Sequence, residues 1–222
     1  MSFRYVLAIF LSLAGISSVA LSQGQSKPPS TESPLTVGIL VDCSGSQRLQ
    51  LDRTIGLVKQ LSEAFGPEDQ AFMVRFVDAA KISIVQEFTN QKSDLEDAAE
   101  GLYIEGGQTA ILDAVDRSAR YFAKNDPSNG TSSRALVLIT DGEESGSGKR
   151  SDETVALLKD SQLKVYAIGL SDLKVSTKLL DKLTKETGGK LFTPRTTAEI
   201  SNSVLEMIKL MRTGPKRINE RD

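Results

Sequence analysis

Twice in this chain a continuous run of apolar and β-branched residues stops abruptly at an aspartate. The first run is Leu35-Thr36-Val37-Gly38-Ile39-Leu40-Val41-Asp42, followed by Cys43-Ser44-Gly45-Ser46. The second is Ala135-Leu136-Val137-Leu138-Ile139-Thr140-Asp141-Gly142. Apolar runs without alternation are the mark of strands buried on both faces, and such strands belong to parallel sheets covered by helices. Each acid falls where its strand leaves the sheet, the carboxyl edge at which open α/β sheets bind ligands. Asp42, Ser44 and Ser46, at alternate positions, put hard oxygen donors at one small site, which suits Mg²⁺ or a similar cation.

The segments between and around these runs alternate in period. Leu51, Ile55, Val58, Leu61 and Phe65 recur at helical spacing, which predicts an amphipathic helix over Leu49–Phe65, stopped by Gly66-Pro67. Ala71–Val77 and Lys81–Phe88 read as strands joined by too short a link for a parallel crossover, which needs about a dozen residues. The pair is therefore antiparallel, and the alternation of Ile82 and Ile84 with polar positions suits a sheet edge. Ser93 with Glu96 reads as a capping box for a short helix, and Thr196 with Glu199 as another for a helix carrying Ile200, Val204, Met207, Ile208 and Met211. A long helix with Ile111, Leu112, Val115, Ala119 and Phe122 on one face follows Glu105-Gly106-Gly107-Gln108-Thr109. Lys164–Leu170 and Lys190–Thr193 complete the strands, with a helix around Leu179–Leu183 between them. The expected fold is α/β: a doubly wound, mostly parallel sheet with one antiparallel edge strand and helices on both faces, in a single domain over 35–212.

Composition removes several classes of chemistry. With no His, neither Ser-His-Asp nor Cys-His catalysis is available, nor is imidazole metal ligation. A single Cys forms no intrachain disulfide and no Cys-rich zinc site. The formal net charge of −2 leaves no electrostatic footprint for nucleic acid. At the N-terminus, Arg4 precedes an uncharged stretch with the apolar core Val6–Ala14 and small residues at Ser18–Ser22. This pattern predicts a secretory signal over 1–22, with an uncleaved membrane anchor as the second reading. Residues 23–34 form a polar, proline-rich linker, and 213–222 a polar tail. The expected location is outside the cytoplasm, periplasmic or secreted.

Val41-Asp42-Cys43-Ser44-Gly45-Ser46, Gly106-Gly107-Gln108-Thr109 and Ile139-Thr140-Asp141-Gly142 occur in an order that resembles the von Willebrand factor type A domain with its metal-ion-dependent adhesion site (MIDAS). Tyr166–Leu170 and Thr187–Phe192 extend the likeness, which is nearest to the exported bacterial branch of that family. The resemblance implies a divalent cation, Mg²⁺ first with Mn²⁺ or Ca²⁺ as alternatives. Ser44 and Ser46 would ligate it directly, and Thr109 would do so in the ligand-bound form. Asp42 and Asp141 would supply charge, directly or through water. A partner protein's Asp or Glu carboxylate would fill the open position, making the chain a non-enzymatic adhesion-type module. In adhesion relatives the last helix shifts on ligation; here that helix is Thr196–Met211. Gln47 stands where many relatives carry Met or another apolar residue.

Plainer readings stand beside these. Ser44, Ser46 and Thr109 also suit helix caps, and Asp141-Gly142 suits a simple turn. Glu143 and Glu144 read as a solvated loop, and Cys43 as a buried filler facing away from the hydroxyls. Two other functions remain open: a purely structural cation on the same fold, and phosphoryl transfer through Asp42, although Ser44 replaces the second acid of the phosphatase pattern.

Overall fold

The computed structural model describes residues 33–213; the expected signal, most of the linker and all but the first residue of the polar tail lie outside them. β1 (Leu35–Asp42) is buried along its whole length, as a run apolar on both faces requires. β2 (Gln70–Phe76) and β4 (Ser133–Thr140) flank it in parallel, with Val41 opposite both Arg75 and Ile139. β3 (Ile82–Thr89) pairs antiparallel with β2 at one edge. β5 (Lys164–Gly169) and the two-residue β6 (Leu191–Phe192) extend the other side in parallel. The order is β3-β2-β1-β4-β5-β6. The chain winds one way from β1 and the other way from β4, so the topological switch point falls between these two strands.

Side chains alternate across β1, and each face has its own core. Leu35, Val37, Ile39, Val41 and Cys43 pack with α1 (Leu51–Ala64), α2 (Lys92–Glu100) and α6 (Thr197–Arg212). Leu40 joins the opposite core, with α3 (Ile111–Asn125), α4 (Ser151–Asp160) and α5 (Thr177–Thr187). At the amino edge of the sheet, the Asp69 carboxylate accepts from the Leu35 and Gly66 N–H groups at 2.8 and 2.7 Å and pairs with Arg212. The start of β1 and the end of α6 are thereby tied together, opposite the edge where the two aspartates stand.

Two local expectations shift. Gly45–Leu49 forms a separate 3-10 turn before α1, so the helix begins at Leu51 and not at Leu49. The Ser93–Glu96 capping box does not form. Thr89, the last residue of β3, accepts from the Gln91 N–H at 3.0 Å and donates to Asp94 at 2.7 Å, so the helix starts at Lys92 and Ser93 falls inside its first turn. The Thr196 cap does form, with the Glu199 N–H donating to the Thr196 hydroxyl at 3.2 Å, but the Glu199 carboxylate accepts at 2.6 Å from the N–H of Arg195, one residue before the cap, and not from that of Thr196.

Candidate metal centre

The parallel register that sets Val41 beside Ile139 brings Asp42 next to Thr140. Asp42 is 3% exposed. One of its carboxylate oxygens accepts from the Ser44 N–H at 2.9 Å, the other from the Thr140 hydroxyl at 2.6 Å. Burial pushes the Asp42 carboxyl up to about 6; the bonds from Thr140 and Ser44 oppose the rise, and the nearby Asp141 charge adds to it. Asp141 is also buried, with its carboxylate accepting from the Glu143 N–H at 3.1 Å. Gly142 follows at φ 82°, and a Cβ there would lie 2.1 Å from the Ser176 carbonyl oxygen, so only glycine lets the chain turn this tightly. Thr140 accepts from the Gly142 N–H at 3.0 Å, which joins the two strand ends through one hydroxyl.

The three predicted hydroxyl donors reach one place. An open cleft of about 460 Å³ is lined by Ser44, Ser46, Thr109, Glu143, Ser145 and Ser176, among others. The Ser44 and Ser46 hydroxyl oxygens are 3.2 Å apart. Ser44 stands at the N-cap of the 3-10 turn without a side-chain capping bond, Ser46 lies inside that turn, and the N-cap of α3 is Ala110, not Thr109, so none of the three hydroxyls serves as the expected cap. Asp42 and Asp141 do not line the cleft; they sit buried at the adjoining ends of β1 and β4, two residues from Ser44 and Glu143 respectively.

The Glu143–Gly148 loop differs from its expected solvated form. Glu143 is exposed on the cleft wall, but Glu144 is half-buried and engaged. One Glu144 oxygen accepts from the Gly146 and Ser147 N–H groups at 3.1 and 2.9 Å; the other accepts from the Ser147 hydroxyl at 2.8 Å and the Leu112 N–H at 3.1 Å. The Asp113 N–H donates to the Ser147 hydroxyl at 3.2 Å, while the Asp113 carboxylate accepts from the Gly148 and Lys149 N–H groups, both at 2.9 Å. The Thr109 carbonyl accepts from Ser145 and Gly146, both at 3.0 Å. A Cβ on Gly146 would meet the Gln108 carbonyl oxygen at 2.7 Å, so the loops close only with glycine there. An acid at a helix N-terminus answers both the free N–H groups and the helix dipole. Thr109 and the loop after β4 therefore form one hydrogen-bonded unit.

Sequence reasoning also missed Thr140 and Arg75. Thr140 was legible only through the strand register. Arg75 is buried and donates to the Tyr103 carbonyl at 3.2 Å and to Glu105 at 3.1 Å, which secures the chain leading to Thr109. Cys43 is buried in the core as expected, and burial pushes its thiol up to about 12, so it stays protonated and unreactive.

These residues fit a hard divalent cation. Among the described residues no three His, Cys, Asp or Glu side chains converge as a metal-holding group; a cation here would draw on Asp42, Asp141 and the neutral hydroxyls of Ser44, Ser46 and Thr109. Asp42 is a buried carboxyl whose charge burial disfavours, and a cation beside it would reverse that penalty.

The von Willebrand factor type A domain profile matches residues 36–206. No curated protein matches the chain. Among solved structures, an aerotolerance-related membrane protein from Bacteroides fragilis is 21% identical with a TM-score of 0.65, covering 79% of this chain and 98% of that one. A von Willebrand factor type A protein from Catenulispora acidiphila is 21% identical with a TM-score of 0.64, over 81% of this chain and 43% of that one. Proximal thread matrix protein 1 from the mussel byssus, with zinc in its MIDAS motif, is 19% identical with a TM-score of 0.67, over 81% and 48%. At these identities the structural likeness speaks to fold alone. The profile match over most of the chain, on a sheet of this order, shows that the protein belongs to the von Willebrand factor type A domain family.

Proposed function

We propose that this chain is a non-enzymatic, metal-dependent protein-binding module. The observation that carries the reading is the meeting of Ser44, Ser46 and Thr109 in one open cleft, above strand ends that bear the buried Asp42 and Asp141. The Ser44 and Ser46 hydroxyls hold the cation directly, Thr109 joins when a ligand is bound, and the two aspartates balance the charge directly or through water. A partner's Asp or Glu carboxylate completes the coordination and bridges the proteins. Mg²⁺ is the first choice on donor chemistry, with Mn²⁺ and Ca²⁺ as alternatives; oxygen-only donor sets suit these hard ions. The zinc in the mussel protein makes Zn²⁺ a competitor to include. The domain acts outside the cytoplasm, a reading that rests on the N-terminal signal pattern.

The alternatives have less support. Phosphoryl transfer through Asp42 lacks the second acid of the phosphatase pattern, since Ser44 stands two residues on. A purely structural cation would be enclosed by the chain, whereas this cleft is open. Isothermal titration with Mg²⁺ and Mn²⁺ tests the reading. The wild type should bind. Asp42→Ala and Asp141→Ala should bind at least about a hundredfold more weakly, since outer-shell changes alone cost about 10–100-fold. Absence of binding by the wild type, or equal binding by the variants, overturns it.

A further inference from the structure

We infer that Lys81, on a turn that lines no part of the cleft, is a positioning residue for Thr109 and so sets affinity for the partner's carboxylate. The inference rests on the metal-bridged reading above, in which Thr109 joins the cation when a ligand is bound.

The stretch before Thr109 carries two adjacent glycines, Gly106 and Gly107, which leave its backbone free to take many conformations. The structure seats that stretch on the turn between β2 and β3, residues 77–81. The Val77 N–H donates to the Lys81 carbonyl at 3.1 Å and the Lys81 N–H to the Asp78 carbonyl at 3.0 Å, which closes the turn. The Val77 carbonyl accepts from the Ala110 N–H at 3.0 Å, one residue after Thr109. A Cβ on Gly107 would lie 2.7 Å from side-chain atoms of both Val77 and Asp78, so glycine lets the loop rest directly on the turn.

Lys81 holds the other end of the stretch. Its ammonium donates to the Gly106 carbonyl at 3.1 Å and lies 2.8 Å from one Glu105 carboxylate oxygen and 3.5 Å from an Asp78 oxygen. One cation is thus shared by two oxygens of the loop and one of the turn. The second Glu105 oxygen accepts from Arg75 at 3.1 Å, and the Glu105 N–H donates to the Cys43 carbonyl at 2.9 Å. The bonds from Lys81 and then Arg75 hold the Glu105 carboxyl below its ordinary value, and the bond to Glu105 raises the Lys81 ammonium. Gly107, Gln108 and Thr109 line the cleft, and their segment is fixed before and after by this one turn. The Lys59–Glu100 pair, by contrast, joins α1 to α2 and holds no cleft-lining segment.

An exposed ion pair adds little to global stability. Its effect here is local: apparent affinity falls with the fraction of molecules whose wall is arranged for binding.

The test uses the full-length protein, with Mg²⁺ affinity from isothermal titration and affinity for acetyl-Gly-Asp-Gly-amide from NMR shifts at saturating Mg²⁺. Lys81→Met keeps the stem and removes the charge. It should bind the peptide about fivefold more weakly, with Mg²⁺ affinity unchanged when peptide is absent. Its thermal midpoint should stay within about 4 °C of wild type. Lys81→Arg keeps a cation and should stay within about twofold of wild type for the peptide. Lys59→Met, which breaks an ion pair away from the cleft, should change neither affinity. Peptide binding by Lys81→Met equal to that of a wild type that takes both Mg²⁺ and peptide overturns this inference and leaves the metal-bridged reading intact. An equal loss in Lys81→Arg, or a loss of Mg²⁺ affinity without peptide, overturns the assignment of the Lys81 charge to Thr109. A wild type that takes no Mg²⁺, or Mg²⁺ but no peptide, overturns the metal-bridged reading and this inference with it.

Discussion

The two connections that bring hydroxyls to the cleft are held in opposite ways. On one side, the segment from Thr109 to Asp113 is joined to the loop after β4 by six hydrogen bonds, two of them to the Thr109 carbonyl, made by Leu112, Asp113, Ser145, Gly146, Gly148 and Lys149 N–H groups. On the other side, Ser44 and Ser46 belong to a 3-10 turn whose inner residue is Gln47, 2% exposed. Neither polar atom of the Gln47 side chain finds a partner among the described residues, and the Gln50 side-chain nitrogen, also buried, finds none either. Buried polar groups left unpaired cost about 1–3 kcal/mol each. The threonine half of the site is thus preformed, and the serine half is the softer one. A resemblance that counts five site residues treats them alike; the structure gives them unequal backing.

The comparison can be broken in several places. The largest expected stability effect belongs to Asp42, which lies between the halves. Its folded carboxyl stands at about 6 against an ordinary 3.8, so the folded metal-free protein holds this proton more tightly than the unfolded chain. The contribution to stability is full below 3.8 and is lost as pH rises through about 6. Asp42→Asn removes that dependence. Between pH 3 and pH 7 the metal-free wild type should therefore lose about 3 kcal/mol of stability relative to the variant, read from paired urea titrations. Metal affinity has the matching sign: protons compete with the cation, so wild-type Mn²⁺ affinity should fall about tenfold per unit below about pH 6. A flat profile from pH 7 to 4 would remove Asp42 from the site.

Glu144→Ala probes the stiff half. It strips the acceptor from four donors and should lower stability by about 2–3 kcal/mol in urea unfolding. Because Thr109 joins the cation only when a ligand is bound, the variant should also bind an Asp-containing peptide about tenfold more weakly when loaded with Mn²⁺, through misplacement of Thr109. A destabilised variant with unchanged affinity for that peptide would mean that Thr109 does not depend on this loop. Gln47→Met probes the soft half with a side chain of similar length and no amide. It should raise stability by about 1 kcal/mol, because two unpaired polar atoms leave the interior. A loss of stability would show that the amide is satisfied and that the two halves are equally firm. The smallest effect is in hydrogen exchange of the metal-free protein. The Leu112, Asp113 and Gly146 amides should be protected about tenfold or more beyond those of Gly45, Ser46 and Arg48.

Much of this was legible from local pattern. β1 and β4 announced themselves because a strand covered on both faces has no polar side, and the acid that ends each run marks the sheet edge. The antiparallel β2–β3 pair followed from the length of its connection. The Thr196 cap was readable because both partners lie within one turn. The Ser93 cap was misread because Thr89, outside the window, competes for the same turn. Glu144 was misread for a related reason: as one of two adjacent acids it has the composition of a solvated loop, while its partner Leu112 lies 32 residues away. Gln47 was noticed only as a departure from the family pattern; its burial without a partner needed the packing around it.

The sequence by itself determined the order of the strands and longer helices, the carboxyl end of each strand to within about one residue, and the residue types offered at the carboxyl edge. These depend on periodicity and on turn residues, which act over a few positions. Only the tertiary structure decided that β1 and β4 lie side by side, that Thr140 donates to Asp42, that burial holds the Asp42 carboxyl at about 6, and that Thr109 and Glu144 form one unit. Desolvation and long-range hydrogen bonds depend on what covers a group, and the covering residues come from chain segments far away in sequence.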